Sequence, residues 1–347
     1  MQKAKIGFIG CGSHATHNLY PMLMYARCDL RAVCDIDRGR AERNARLFGA
    51  RAAYTRYEEM LDREELDGVM IAGDPQTMHY EVGKKVLARG LPLFTEKPCA
   101  VELSQAEEMV ALAREKGVFL MTGFMKRHGL TYRKARELIA SGQFTPSVGF
   151  FKYAHWKSGG GDGNLRRMLN TMSVHMIDLA ISFFGDAASV RASTFAGQGF
   201  ASILATLRFR NNCLAQLMLD GSQPRIQELV EISGQMEGQN ALIRIDNVMR
   251  LELHRGRTKG IDLAIQEPQE CNPQIDLSEI QTWRPDYGIP NMAQDRQFAQ
   301  GFAGEVREFC DAILEKREPV PGTDDAIKSM RVIDAICRNP NGVTELA

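Results

Sequence analysis

The residues best placed to do chemistry cluster at three points of the chain. Gly10-Cys11-Gly12-Ser13-His14-Ala15 fits G-x-G-x-x-A directly after the apolar run KIGFIG. Gly10 allows a tight turn, Gly12 lets the backbone approach a pyrophosphate, and the small Ala15 lets a helix pack closely on a sheet. The pyrophosphate would rest on the unpaired N–H groups of that helix, near Ser13 and His14. Asp35 ends the next apolar run, twenty-three positions after Gly12, where an acid that binds both ribose hydroxyls is expected. Such a carboxylate repels a 2′-phosphate, so NAD is favoured over NADP, with Arg38 placed to weaken the preference. Lys97 leaves the end of a later apolar run, where ligands bind in open parallel sheets. His175 and Asp178 stand three apart in the otherwise apolar MSVHMIDLAISFF, a spacing that puts both on one face of a helix.

These positions need elements to hold them. From Ala4 to Gly123 short apolar runs (KIGFIG, LRAVCD, DGVMIA, LPLFTE, VFLMTG) alternate with amphipathic stretches such as Thr77 to Arg89 and Ser104 to Lys116. That cadence predicts crossover units and a parallel sheet, with Ser104 and Glu107 as a capping box and Gly117 as the stop. A single helix is expected from the glycine turn to near Arg27. Beyond residue 123 the pattern changes. A helix over Tyr132 to Ser141 precedes longer β-type runs, and LRFRNNCLAQ turns over through a few polar residues, as a hairpin does. Glu267 to Gln294 is expected to be an irregular excursion. Helices over Gly301 to Lys316 and Asp324 to Arg338 close the chain, the second opened by Thr323-Asp324. The expected division is a Rossmann dinucleotide-binding domain over 1–123 and an α+β domain with a large, mostly antiparallel open sheet over 124–347.

Composition narrows the function classes. The 347 residues carry 43 Lys plus Arg against 43 Asp plus Glu, so no net field recruits nucleic acid or an anionic membrane. No run approaches the ~18 apolar residues of a membrane span, and nothing at the amino terminus directs export, so a cytoplasmic protein is expected. The eight cysteines form no C-x-x-C pair, which argues against a zinc ribbon. His14 and His17 lack an acidic or thiol neighbour in sequence, His175 with Asp178 lacks a third ligand, and no metal site is expected.

Taken in order, G-x-G-x-x-A, Asp35, D-P-x-x-x-H at Asp74, Pro75 and His79, E-K-P at Glu96 to Pro98, G-F-M-K-R at Gly123 to Arg127 and S-V-H-M-I-D at Ser173 to Asp178 resemble the glucose-fructose oxidoreductase, inositol dehydrogenase and MocA family. The resemblance implies an NAD(P)-dependent oxidoreductase for a secondary alcohol of a sugar, sugar derivative or cyclitol. It also implies a homodimer or homotetramer formed through the second sheet. It puts Asp74, Pro75, His79, Glu96 and Lys97 at the cofactor and Arg127, Trp156, Thr171 and Asp178 at the substrate. Oxidation of a carbinol needs an acceptor for the hydroxyl proton, a role that suits Lys97, assisted by His175. The family pattern D-x-x-x-H-x-x-D is broken here, since Thr171 and Asn170 stand four and five residues before His175. Two alternatives stay open: net non-redox chemistry through transient oxidation, and a nucleotide-sensing regulator without turnover.

Overall fold

A computed structural model of the chain describes residues 2–155, 164–197, 199–256, 279–285 and 295–346. Its first half is a six-stranded parallel sheet in the order β3-β2-β1-β4-β5-β6. The strands are β1 (Ala4–Ile9), β2 (Cys28–Cys34), β3 (Ala52–Tyr54), β4 (Gly68–Ile71), β5 (Leu93–Glu96) and β6 (Leu120–Gly123). The crossovers are α1 (Arg38–Phe48), α2 (Tyr57–Arg63), α3 (Thr77–Ala88) and α4 (Leu103–Glu115). The strand order reverses between β1 and β4, and a crevice for ligand opens there at the carboxyl ends.

Two local expectations shift. The capping box of α4 is Glu102 with Gln105, two residues before the Ser104 and Glu107 pair expected. The segment after the glycine turn is not one α-helix: Ala15–Leu19 winds as a π turn and Tyr20–Tyr25 as a 3-10 turn. Pro21, at the start of the second, has no N–H to continue the first.

The second half begins with α5 (Leu130–Ala140) and β7 (Thr145–Ala154), followed by α6 (Leu165–Met168), a π turn over Leu169–Ser173 and α7 (Val174–Phe184). Then come β8 (Ala187–Ala196), β9 (Ala201–Phe209), β10 (Leu214–Asp220), β11 (Gln227–Met236), β12 (Gln239–Asp246), β13 (Arg250–Arg255) and β14 (Glu279–Trp283). Helices α8 (Asp295–Gln300), α9 (Phe302–Glu315) and α10 (Asp325–Arg338) lead to β15 (Val343–Glu345). The nine strands lie in the order β14-β13-β12-β11-β7-β10-β9-β8-β15, and only β7 and β10 run parallel. The expected hairpin is β9 and β10, with Asn212 in the left-handed region at its turn. Within the stretch expected to be irregular, Glu279–Trp283 is a strand on β13.

Alternation sets the faces of this sheet. Ile203, Ala205, Leu207, Leu217 and Leu219 point inward onto α7 and α10, whereas Leu204 is 53% and Phe195 57% exposed on the opposite side. The chain also folds back across its own midpoint. Phe309 of α9 meets Phe94 and Phe119 edge-on, closing one face of the first sheet with residues from the far end. Thr323, expected to open α10, accepts the Leu120 N–H at 3.1 Å and ties that helix to β6.

Candidate active site

At the carboxyl ends of β1, β4 and β5 lies a cleft of about 740 Å³ that runs across to α6 and the second π turn. Its β1 end is a glycine turn. Gly10 has a φ of +104°, and a Cβ there would stand 1.9 Å from the Ala72 carbonyl oxygen, so no larger residue fits. Gly12 has nothing within 4 Å of where its Cβ would be. That open backbone, beside the exposed Ser13 and His14, is the cradle a pyrophosphate needs. Asp35 closes the turn from β2: its carboxylate accepts from the Cys11 N–H at 2.7 Å and from the Asp37 N–H at 2.9 Å. It remains half-buried with acceptor capacity left, as a ribose-binding acid must. Arg38 points into solvent, 3.8 Å from Glu42. These residues fit a dinucleotide.

The centre of the cleft is a charged group at the end of β5. Glu96 Oε1 accepts from His14 Nε2 at 3.0 Å, and His14 Nδ1 accepts from Asn18 at 3.1 Å. Burial would push the Glu96 carboxyl up, yet His14, Lys97 and His79 together hold it below the usual range. His14 is therefore fixed by Glu96 across the cleft, while His17 bonds back to the Ser13 carbonyl at 2.7 Å. His79 donates from Nδ1 to the Pro98 carbonyl at 2.9 Å, supporting the segment that carries Lys97. Its Nε2, buried and without a partner among the described residues, is an acceptor by elimination. Asp74 and Pro75 line the same wall, exposed.

Lys97 donates from Nζ to the Thr171 carbonyl at 2.6 Å. Burial, aided by Lys126, drives its ammonium below the ordinary lysine range, against the opposing pull of Glu96 and Glu305. A lysine so placed gives up its proton at lower pH than a solvated strand-end lysine does. His175 is buried at 4% exposure, and burial with Lys97 and Lys126 beside it pushes its pKa well down, so it stands neutral. Its Nδ1 has no partner among the described residues.

Asp178, placed on the same helix face as His175 by its spacing, turns to Arg127 instead. Asp178 takes a forked pair from Arg127, 2.9 Å from Nε and 2.6 Å from Nη2, and Arg127 also holds Asp325 at 2.9 Å. Both residues are almost fully buried, Arg127 at 4% and Asp178 at 1%. Expected at the substrate, they are instead spent on each other, and the buried ion pair fastens the turn after β6 to α7 and α10. Of the other substrate candidates, Thr171 lines the cleft, while Trp156 and the glycine loop of 158–163 lie outside the described residues.

Sequence reasoning missed Glu305. It is fully buried in the first turn of α9, neither carboxylate oxygen has a partner among the described residues, and burial with Glu96 nearby holds it well above the usual carboxyl range. Its one sequence signal was an acid in an apolar helix start. Lys126 was also missed as a charge: it is buried against Glu228 at 2.5 Å and raises the potential felt by Lys97 and His175.

A glycine turn at the switch point of a parallel sheet, an acid at the end of β2 and a buried lysine at the end of β5 are the arrangement a nucleotide-dependent oxidoreductase needs. The chain belongs to the Gfo/Idh/MocA oxidoreductase family: residues 4–124 match its NAD-binding Rossmann fold and residues 141–342 its C-terminal alpha/beta domain. It is 27% identical over 269 residues to D-apiose dehydrogenase of Paraburkholderia graminis, a match that spans 73% of this chain and 70% of the relative. It is 23% identical over 345 residues to dTDP-3,4-didehydro-2,6-dideoxy-alpha-D-glucose 3-reductase of Actinomadura kijaniata, covering 96% and 94%. A dehydrogenase from Chromobacterium violaceum superposes with a TM-score of 0.83 at 24% identity over 97% of this chain and 95% of its own. The protein is an NAD(P)-dependent oxidoreductase acting on CH–OH groups, with NAD as cofactor. Among the described residues no helix is long and apolar enough to cross a membrane.

Proposed function

We propose that the cleft oxidises a secondary alcohol of a sugar, sugar derivative or cyclitol, or reduces the matching ketone, with Lys97 as the proton-handling group. The observation that carries this is Lys97 itself, held at the end of β5 by Thr171 with its ammonium disfavoured by burial. When bound, NAD supplies the hydride acceptor. The glycine turn at Gly10 and Gly12 would hold the pyrophosphate and Asp35 the ribose, and Glu96, fixed by His14, would supply a negative charge at the end of β5. Neutral Lys97 takes the hydroxyl proton at Nζ as the hydride leaves the same carbon, and in the reverse direction it returns that proton to the carbonyl oxygen. His175, neutral and with an unpartnered Nδ1, positions the substrate. Arg127 and Asp178, buried against each other, brace the turn after β6 against α7.

The sugar-directed relatives support the substrate class. The test is NAD reduction across inositols, aldoses, uronates and glycosides, with Asp35 and Lys97 variants as controls. Product formation without net NAD reduction favours transient oxidation within a non-redox reaction. NAD binding with no turnover of any member favours a sensing role.

A further inference from the structure

We propose that Asn170 determines specificity: its side-chain oxygen accepts a hydrogen bond from a hydroxyl on the carbon next to the reacting one, so the substrate is a vicinal polyol. This rests on the alcohol-oxidising reading of the cleft and narrows it.

The backbone makes Asn170 available. Between α6 and α7 the chain takes the π turn over Leu169–Ser173, whose wider i to i+5 bonding brings residues five apart onto one side. Asn170 lies in this turn and His175, five residues on, just past it, and both are buried, at 2% and 4%. An ordinary α-helix would put Thr171 on the same face as His175. The Thr171 hydroxyl is turned back onto its own helix, donating to the Arg167 carbonyl at 2.7 Å, and only its backbone carbonyl serves the cleft, through Lys97.

The chemistry of Asn170 is equally constrained. Its amide nitrogen donates to the Val101 carbonyl at 3.1 Å, which fixes the other end as oxygen. That oxygen is buried and has no partner among the described residues, although Asn170 lines the cleft beside Lys97 and Thr171. A carboxamide oxygen can only accept, and leaving one buried and unpaired is costly, so its partner must bring an O–H or N–H. Lys97, which handles the reacting hydroxyl, is held on the carbonyl of the next residue, Thr171. The donor nearest at hand on a polyol is therefore the neighbouring hydroxyl. Asn170 carries no charge at any pH, so it selects by hydrogen bonding and takes no proton from the reaction.

The experiment uses the full chain loaded with NADH. Inositols and aldohexoses, each paired with an analogue lacking one hydroxyl, are titrated by quenching of NADH fluorescence, and the same pairs are assayed for NAD reduction. In the wild type, at least one polyol should be preferred over its deoxy counterpart by roughly 10- to 100-fold, the worth of one buried hydrogen bond. Asn170→Ala and the near-isosteric Asn170→Leu should both erase the preference, with NADH affinity and melting temperature read separately to establish that the fold and nucleotide site survive. A preference that persists in both variants, or a wild type that turns over polyols without discriminating, overturns the role of Asn170 and leaves the alcohol-oxidising reading standing. NADH binding without binding or turnover of any polyol overturns both.

Discussion

Lys97 and Thr171 face each other across the cleft, the side-chain nitrogen of one 2.6 Å from the backbone carbonyl of the other. A carbonyl accepts the N–H and takes no proton. The contact therefore aims the amine without neutralising it and leaves its remaining valences for the substrate. Lys97→Ala should lower kcat by a factor of about 10² to 10⁴ while NAD affinity changes little, as measured by steady-state rates and fluorescence titration. Because burial depresses the ammonium pKa, the unprotonated amine gains population as pH rises, so the oxidation rate should climb with pH through an ionisation below the ordinary lysine range. Wild-type rates in Lys97→Ala at every pH would move proton transfer to another group.

Asp35 should set cofactor choice. NAD is expected to bind at least about tenfold more tightly than NADP, equivalent to roughly 1.4 kcal/mol, and Asp35→Ala should shrink the gap. The variant also frees the Cys11 N–H that Asp35 receives at 2.7 Å, so NAD affinity itself should fall. Equal titration of the wild type by both nucleotides would direct attention to Arg38.

Glu305 should leave a mark on stability. Its carboxyl pKa in the fold is raised above that of the unfolded chain, so its contribution is fully present below the unfolded value and is lost as pH rises toward the folded one. Glu305→Gln carries no such dependence. Denaturation curves for the two proteins should converge near pH 4 and separate with rising pH in favour of the variant, at up to about 1.4 kcal/mol per pH unit. Parallel curves would mean that Glu305 ionises inside the fold as readily as outside it.

The outer face of the nine-stranded sheet should bury itself against a second copy. Leu204 and Phe195 stand exposed there, with Val148 47% and Leu214 41% exposed on neighbouring strands. Sedimentation should give a mass of two or four chains, and Leu204→Lys should shift it toward 38.8 kDa. A wild-type mass already at that value would contradict the assembly.

How far the sequence revealed this arrangement depended on the range of each cause. Gly10, Gly12 and Asp35 were legible because steric need and spacing along consecutive strands are local. The alternating cadence likewise exposed most strands of both sheets, but not β13 or the short edge strands β3, β14 and β15, whose partners, not their own residues, make them strands. Asn170 and Thr171 could not be told apart, since a π turn alters which side chain is turned toward the cleft without any marker in composition. The pairing of Asp178 with Arg127 was hidden for a different reason: the two lie 51 positions apart, and helical spacing speaks only of neighbours three or four residues away. Glu305 is more remote still, an acid whose neighbours come from another domain.

The return of α9 across the first sheet bears on how the protein is made. Phe309 covers Phe94 and Phe119, so a nascent chain that has completed all six parallel strands still displays aromatic surface that only residues near 309 can cover. During synthesis the nucleotide-binding half is therefore left waiting on the last tenth or so of the polypeptide. Premature termination would release a chain with its sheet finished and one side bare, a form inclined to aggregate or to draw chaperones.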